Sequence, residues 1–399
     1  MKILFIASYY PPDVGGGAEL MLKVHAEGLQ SKGHSVTVLV LNANKEIDDY
    51  SDQSGVRIIK HPIKNVYWPL APKPGKFKRL IWHLIDIYNP FYIRFFKKKL
   101  SEINPDVVIC ENIVGWSPAI YKVINNKQIT VIQLLHDYGF LCANANMVHN
   151  GCRCEKQCNM CKFFTMYHRR SQKYITHDIF VSQSVKDVFE RHGMHKSIPF
   201  DIVYNTRHID VVKKCDIWDG QRVLRIGYIG TLSEAKGVLN LIQAVKGLHG
   251  VAYKLFIAGK AANDSFMQTV ENAIADVENI EYVGYVNPKE FFSKIDVAVF
   301  PSVWYEPFGL VAVEACSCQV PCIVPNFGGL SEIVKDGVNG IFCNPESVKS
   351  IQNSIIKIAK DASLYKELLN NCINSVADFR NENLMLDKMD EICHKVVNK

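Results

Sequence analysis

Along the first half of the chain, short apolar runs alternate with segments whose apolar positions recur at helical spacing. Lys2–Tyr9 reads as a strand, Ala18–Gly33 as an amphipathic helix and Ser35–Leu41 as a second strand. Further strands are expected at Val56–Lys60, Asp106–Cys110, Thr130–His136 and Asp178–Val181, each closed by polar or Gly/Pro punctuation. This alternation predicts a parallel sheet with helices on both faces. The period lapses between Pro199 and Arg222 and then restarts. Strands follow at Val223–Gly230, Tyr253–Ala258, Ile280–Val283 and Asp296–Phe300, with helices at Val238–Leu248, Pro288–Lys294 and Gly309–Cys316. Val348–Lys399 reads as three helices. The pattern is α/β in two successive domains, 1–205 and 206–380, with a last helix in 381–399.

Length agrees, since 399 residues exceed one core of ordinary size. An apolar content of 48% with 22% charged residues is that of a globular protein. Met1-Lys-Ile-Leu-Phe-Ile-Ala runs into a polar loop without a cleavage site, and prolines and Glu306 break the longest apolar run short of a membrane span. A cytoplasmic protein, peripheral at the inner face of a membrane, is expected.

The net charge of +6 is unevenly placed. Lys73, Lys76, Lys78, Arg79, Arg94, Lys97, Lys98 and Lys99 stand against Asp86, a net +7 within residues 73–99. Residues 153–173 carry +5 and the remainder −6. Within Lys76–Tyr88, Phe77, Leu80, Ile81, Leu84, Ile85 and Tyr88 share one helical face, while Trp82 and Ile87 lie off it. A basic aromatic helix of this kind fits either an anionic membrane surface or an internal helix with a solvated edge. The membrane is the expected partner, with Phe77, Trp82, Phe91, Phe95 and Phe96 inserting; nucleic acid is not expected.

Candidate chemistry lies beyond the carboxyl ends of the strands, where open α/β sheets bind ligands. After Asp296–Phe300, Glu306-Pro-Phe308-Gly309-Leu310-Val-Ala-Val-Glu314 brackets a helix start with two acids, and the free N–H groups of a helix start attract anions. Gly328-Gly329-Leu-Ser-Glu332 and Asp336-Gly337-x-x-Gly340 follow. Gly230-Thr231-Leu-Ser-Glu-Ala-Lys236-Gly237 trails the strand at Val223. Gly15-Gly16-Gly17 before the first helix lets a backbone approach a phosphate or sugar closely, yet the dinucleotide pattern Gly-x-Gly-x-x-Gly directly after the strand is absent. Leu135-His136-Asp137-Tyr138-Gly139 closes another strand, and an imidazole there is a hydrogen-bonding group that changes charge near neutral pH.

The Glu-x7-Glu spacing of Glu306 and Glu314, with these flanking motifs in this order, resembles the retaining glycosyltransferases of family 4 over nearly the whole chain. Asn205, Thr206 and Asp210 resemble that family's Asn-Gly-Ile-Asp segment before the second domain. The resemblance implies a GT-B fold, two Rossmann-like domains facing across a cleft, with the last helix returning to the first domain. It implies transfer of a sugar, with retention, from a nucleoside diphosphate sugar of UDP or GDP type to a glycan or lipid-linked acceptor. Glu306 and His136 would be the catalytic pair contacting the transferred sugar. Glu314 would bind the ribose, Lys236 and Thr231 the pyrophosphate, helped by the backbone at Phe308, Gly309 and Leu310, with Gly16 and Gly17 facing the donor. The family has arginine where Thr231 stands; a hydroxyl hydrogen-bonds phosphate but adds no charge, so a cation from elsewhere is required or affinity falls. No Asp-x-Asp occurs, so no cofactor is expected for catalysis, and fixed cations with helix dipoles would stabilise the leaving group. A sugar-nucleotide epimerase shares the architecture but leaves Glu306-x7-Glu314 unexplained. A non-catalytic, zinc-stapled binding protein on a transferase scaffold would account for Thr231 and for a cluster of cysteines at 152–161.

Thirteen cysteines without a secretory signal point to thiols or metal rather than to a disulfide framework. Most, such as Cys316, Cys318, Cys322 and Cys343, lie in apolar contexts. Cys152, Cys154, Cys158 and Cys161 instead crowd ten residues of an insertion, 142–161, and would wrap one structural zinc or remain reduced thiols. Cys142 and His149 are spare ligands.

Overall fold

A computed structural model describes residues 1–72, 74–149 and 151–398; Lys73 of the basic stretch, Asn150 of the cysteine-rich insertion and Lys399 lie outside the described residues. The chain forms two compact units. Unit 1 comprises Met1–Met147, Glu155–Arg207 and Asn383–Lys399; unit 2 comprises Val148–Cys154 and His208–Glu382. Of the insertion expected in the first domain, Val148–Cys154 thus belongs to unit 2.

The strands up to the insertion are β1 (Lys2–Ile6), β2 (Ser35–Asn42), β3 (Asp48–Ser51), β4 (Arg57–Pro62), β5 (Val107–Cys110) and β6 (Thr130–Leu135). A hairpin of β7 (Val148–His149) and β8 (Cys152–Arg153) follows, then β9 (His177–Phe180) and β10 (Phe200–Ile202). The sheet of unit 1 runs β10-β9-β6-β5-β1-β2-β4-β3 and is parallel except at its β3 edge, which pairs antiparallel with β4. Asp48-Asp49-Tyr50-Ser51 carries no apolar run, so periodicity misses β3; charges on an edge strand discourage further pairing. The last helix, Glu382–Val397, buries Met385, Met389 and Ile392 in this unit. Gly28 leaves the room that Leu386 fills, and Lys32 forms an ion pair with Asp387.

Unit 2 contains β11 (Leu224–Ile229), β12 (Tyr253–Ala258), β13 (Ile280–Gly284), β14 (Val297–Val299), β15 (Cys322–Pro325) and β16 (Gly340–Cys343). Their order, β13-β12-β11-β14-β15-β16, is the parallel 3-2-1-4-5-6 of a doubly wound sheet. The order reverses between β11 and β14, and ligands bind at such a switch point. Asp296, fully buried just before β14, fastens these two strands. Its carboxylate accepts from Arg222 at 2.7 and 2.8 Å, from the Arg225 guanidinium at 2.8 and 3.1 Å, and from the Arg225 N–H at 2.9 Å.

The basic stretch differs from expectation. The helix Lys76–Ile87 is present, but the side chain it buries is Trp82, off the apolar stripe, whose indole donates to the Tyr67 carbonyl at 3.2 Å. Phe77, Leu80, Leu84 and Tyr88 of the stripe are exposed. Phe96 is buried against Trp116 and Phe95 packs on His61, so neither they nor Trp82 are free to insert. Phe77 at 75% and Phe91 at 71% exposure are free. His83 meets Phe164 and Tyr88 meets Tyr167, which places the exposed Met160 and Phe163 on a helix, Asn159–Phe164, adjoining this surface. Among the described residues, no helix is long and apolar enough to cross a membrane.

The Asp296 clasp has a pH signature. Burial pushes its carboxyl up, but Arg222 and Arg225 outweigh burial and hold it below its ordinary value. A group whose pKa is lowered by folding contributes its stability above the unfolded pKa and loses it as pH falls through the folded one. Asp296→Asn should therefore destabilise the protein by about 3–5 kcal/mol at neutral pH. The gap to wild type should narrow as pH drops below the carboxylate range; denaturant melts at several pH values check both.

Candidate active site

In unit 2 the loops after β11 and β14 meet at the switch point. Lys236 ends a short 3-10 turn and is followed by Gly237, whose left-handed φ of 69° starts the helix Val238–Lys246. A Cβ at Gly237 would overlap the Pro301 carbonyl, so the Lys236 loop lies flush on the end of β14. There Lys236 Nζ stands 2.5 Å from Glu306 Oε2 and 5.1 Å from the centre of the Trp304 ring. The same oxygen accepts from Trp304 Nε1 at 2.9 Å and from Ser302 Oγ at 3.4 Å. Half-buried and fixed by these donors, the pair is a cation and an anion with one oriented position each.

The chain then turns at Gly309, φ 102°, into the helix Leu310–Ser317, whose start has no side-chain cap among the described residues. Its first N–H groups are thus available to an anion. Gly328 and Gly329 pack on the Glu306 loop: a Cβ on Gly328 would stand 2.9 Å from Glu306 N, one on Gly329 would overlap Phe308 Cα, and Gly329 N donates to the Glu306 carbonyl at 2.7 Å. The Phe308 ring is buried against Phe379. Glu314 is half-buried on the helix, and Thr231 is exposed after β11.

Unit 1 places His136 just past β6 and Glu111 just past β5. Glu111 lies between two imidazoles, 3.0 Å from His25 Nδ1 and 3.1 Å from His136 Nε2, with the rings stacked at 5.9 Å. Burial pushes Glu111 up, but His136 and His25 outweigh it and hold the carboxyl at about 2. An ionised carboxylate only accepts, so each of those ring nitrogens donates to it. His136 Nδ1 is buried and without a hydrogen-bond partner among the described residues. It adjoins a cavity also lined by Asn112, Val114, Asp137 and His168. Gly16 N donates to Glu19 at 2.8 Å, which caps the first helix, and a Cβ on Gly16 or Gly17 would meet nothing within 4 Å.

The family model described as "Glycosyltransferase Family 4" matches residues 15–209, and "Glycosyl transferases group 1" matches 221–376. The chain belongs to the group 1 and family 4 type of glycosyltransferases. It is similar to an uncharacterized 42.6 kDa protein in the cps region of Klebsiella pneumoniae, at 29% identity over 84% of this chain and 87% of that one. An uncharacterized glycosyltransferase of Methanocaldococcus jannaschii is 26% identical over 94% and 93%. The capsular polysaccharide biosynthesis glycosyltransferase CapM of Staphylococcus aureus is 29% identical over 37% and 39%. Among solved structures, sucrose-phosphate synthase from Thermosynechococcus elongatus superposes with a TM-score of 0.78 at 18% identity, covering 99% and 98%. Anabaena HepE in complex with UDP and glucose gives 0.73 at 17%, covering 99% and 100%. These likenesses establish the GT-B fold.

Within this glycosyltransferase, sequence reasoning passed over three site residues. Arg153 on β8 lays its guanidinium 4.0 Å from the centre of the Phe327 ring and 4.9 Å from that of Tyr305, next in sequence to Gly328 and Glu306. Its only signal was a basic residue inside a cysteine-rich segment. His25 and Glu111 escaped because their partnership spans distant stretches of chain, although Glu111 at the end of an all-apolar strand is the kind of acid that a strand terminus exposes. Catalysis itself apart, the glycines separate by role. Gly329→Ala should destabilise the protein by about 1–3 kcal/mol through overpacking against the Phe308 backbone. Gly16→Ala should leave stability within about 0.5 kcal/mol of wild type. Thermal unfolding of the two variants checks this.

Proposed function

We propose that this glycosyltransferase moves a sugar from a UDP- or GDP-type donor, with retention, to a lipid-linked glycan intermediate of cell-surface polysaccharide synthesis. The observation that carries this reading is the fixed Lys236–Glu306 pair at the switch point of unit 2, beside an uncapped helix start. Lys236, Thr231 and the first N–H groups of the helix Leu310–Ser317 receive the diphosphate, and Glu314 the ribose. Arg153, stacked on the Tyr305 and Phe327 rings, supplies the charge that Thr231 lacks. These fixed charges neutralise the leaving diphosphate without a metal bridging it. Glu306 contacts the transferred sugar, and His136, its tautomer set by Glu111, accepts a hydrogen bond from a sugar hydroxyl at Nδ1. Gly16 and Gly17 leave room for the donor, since a Cβ on either would meet none of the described residues within 4 Å. The Klebsiella and Staphylococcus relatives named for capsule loci support the polysaccharide acceptor, and HepE, in complex with UDP and glucose, supports the nucleotide.

Incubation with radiolabelled UDP- and GDP-sugars plus a lipid-linked glycan tests the reaction. Transfer with release of nucleoside diphosphate is expected, unchanged by EDTA; an epimerase returns an isomeric sugar nucleotide instead. Lys236→Ala and Arg153→Ala should each weaken nucleoside diphosphate binding about 10- to 100-fold, the worth of a hydrogen bond to a charged group. Glu306→Gln should lower kcat about 100-fold or more while diphosphate affinity holds or rises, because Lys236 loses its competing carboxylate. Equal kinetics for Glu306→Gln and wild type would sink the assignment.

The protein docks on an anionic membrane at the inner face through Phe77, Leu80, Leu84, Tyr88 and Phe91, joined by Met160 and Phe163. Charge complementarity argues for this occupant: Lys76, Lys78 and Arg79 flank the apolar face, and each basic group near an anionic leaflet contributes about 1 kcal/mol. Lys99 contributes less, being paired with Glu102 at 3.1 Å and Asp49 at 3.4 Å. Sedimentation with phosphatidylglycerol vesicles should exceed that with phosphatidylcholine vesicles and weaken in high salt. The exposed double change Phe77→Ala, Phe91→Ala should reduce it; equal binding to both vesicle types would mean a solvated face.

A further inference from the structure

We propose that His34, Asp390 and His394 hold one zinc ion that fastens the last helix to the rest of unit 1. Among the described residues, two groups of histidine, cysteine or carboxylate side chains bring three ligand atoms within 4.8 Å of one another, and these three residues are one of them. The other, His25, Glu111 and His136, is the hydrogen-bonded trio of the site already described. Neither contains a cysteine, so the four thiols expected to wrap zinc do not form such a group. Asp390 and His394 stand four residues apart on one face of the helix Glu382–Val397, a spacing at which two side chains reach one ion. His34 arrives from the distant end of the sequence. After the helix Gly17–Ser31 the chain turns through Gly33, at a left-handed φ of 89°, and His34 N donates to the Leu29 carbonyl at 3.3 Å just before β2. His34 Nε2 and His394 Nε2 then lie 2.9 and 3.3 Å from the same oxygen, Asp390 Oδ1, with the ring centres 5.8 Å apart.

Ligand atoms about 2.1 Å from a tetrahedral ion stand about 3.4 Å from one another. The trio is thus close to the spacing that an ion needs, and two imidazoles with a carboxylate are donors that zinc accepts. His34 is buried, whereas the side chains of Asp390 and His394 are 27% and 56% exposed, which leaves the fourth position to water. His34 Nδ1 stands 3.2 Å from the Met1 amine. Zinc at Nε2 displaces the proton of that nitrogen to solvent; Nδ1 then takes a proton from the amine and donates back to it, the outer partner that metal-bound histidines usually have. His34 precedes β2 at the amino end of the parallel sheet, while His136 follows β6 at its carboxyl end. The ion is therefore structural and takes no part in sugar transfer. It would hold the last two turns of the helix against fraying, beyond the reach of the Met385 and Met389 contacts.

The full chain, stripped with chelator and dialysed against zinc sulfate, should take up one ion at this site. His394→Ala and Asp390→Asn should each weaken that binding more than about tenfold, the loss seen even for an outer partner. Both should also abolish the rise in Tm that zinc gives wild type by mass action. His208→Ala, which removes an exposed histidine paired with Asp210, should change neither. Circular dichroism of the His394→Ala protein, whose lost side chain is largely exposed, verifies its fold. X-ray absorption should show nitrogen and oxygen neighbours at about 2.0–2.2 Å. Sulfur neighbours at about 2.3 Å, which assign the ion to the cysteines instead, would overturn the proposal. So would unchanged zinc affinity in either variant, or a wild-type Tm indifferent to zinc.

Discussion

Two loops of unit 2 approach so closely that no Cβ fits between them. Gly328 and Gly329 lie against the backbone from Glu306 to Phe308, and a backbone-on-backbone contact has no rotamer with which to adjust. From this contact the rest of the loop geometry at the switch point follows. The Glu306 carbonyl is tied to Gly329, the chain turns through Gly309 into an uncapped helix, and the Glu306 carboxylate is left facing Lys236. Both loops leave from neighbouring strands, β14 and β15, and Asp296 clasps β14 to β11 at the opposite end. A site made of loops is thereby as rigid as the sheet beneath it.

Unit 1 solves a related problem with charge rather than close packing. Glu111 is a buried carboxylate, costly unless it is paired, and His25 and His136 pair it from either side. In return the carboxylate fixes the orientation and proton position of both rings. An imidazole on a strand end, free to rotate in water, becomes one held in a single orientation.

The strands of both parallel sheets were legible because burial on two faces leaves near-continuous apolar runs, and the acid pair was legible because its spacing, from a loop into the helix that follows, is local. What escaped depends on contacts that the chain makes with distant parts of itself. The helix Lys76–Ile87 was found by its period, yet its apolar stripe faces outward: Trp82, one residue off the stripe, is the larger anchor and reaches the Tyr67 carbonyl. Likewise Arg153 owes its place to Tyr305 and Phe327. Spacing could not show either, nor could it show that Phe95 and Phe96 belong to the Trp116 core while Phe91 stays outside.

The hairpin β7–β8 bears on how such enzymes diversify. Unit 2 is not one stretch of sequence, because its Val148–Cys154 piece is encoded within the first half, just as unit 1 reclaims Asn383–Lys399 at the end. No single crossover between two genes can exchange either unit whole. A junction near residue 207 would join one parent's Arg153 to another's Tyr305 and Phe327, and one parent's Gly28 to another's Leu386. The guanidinium and its aromatic shelf are therefore a matched pair in inheritance, and chimeras that separate them lose the stacking.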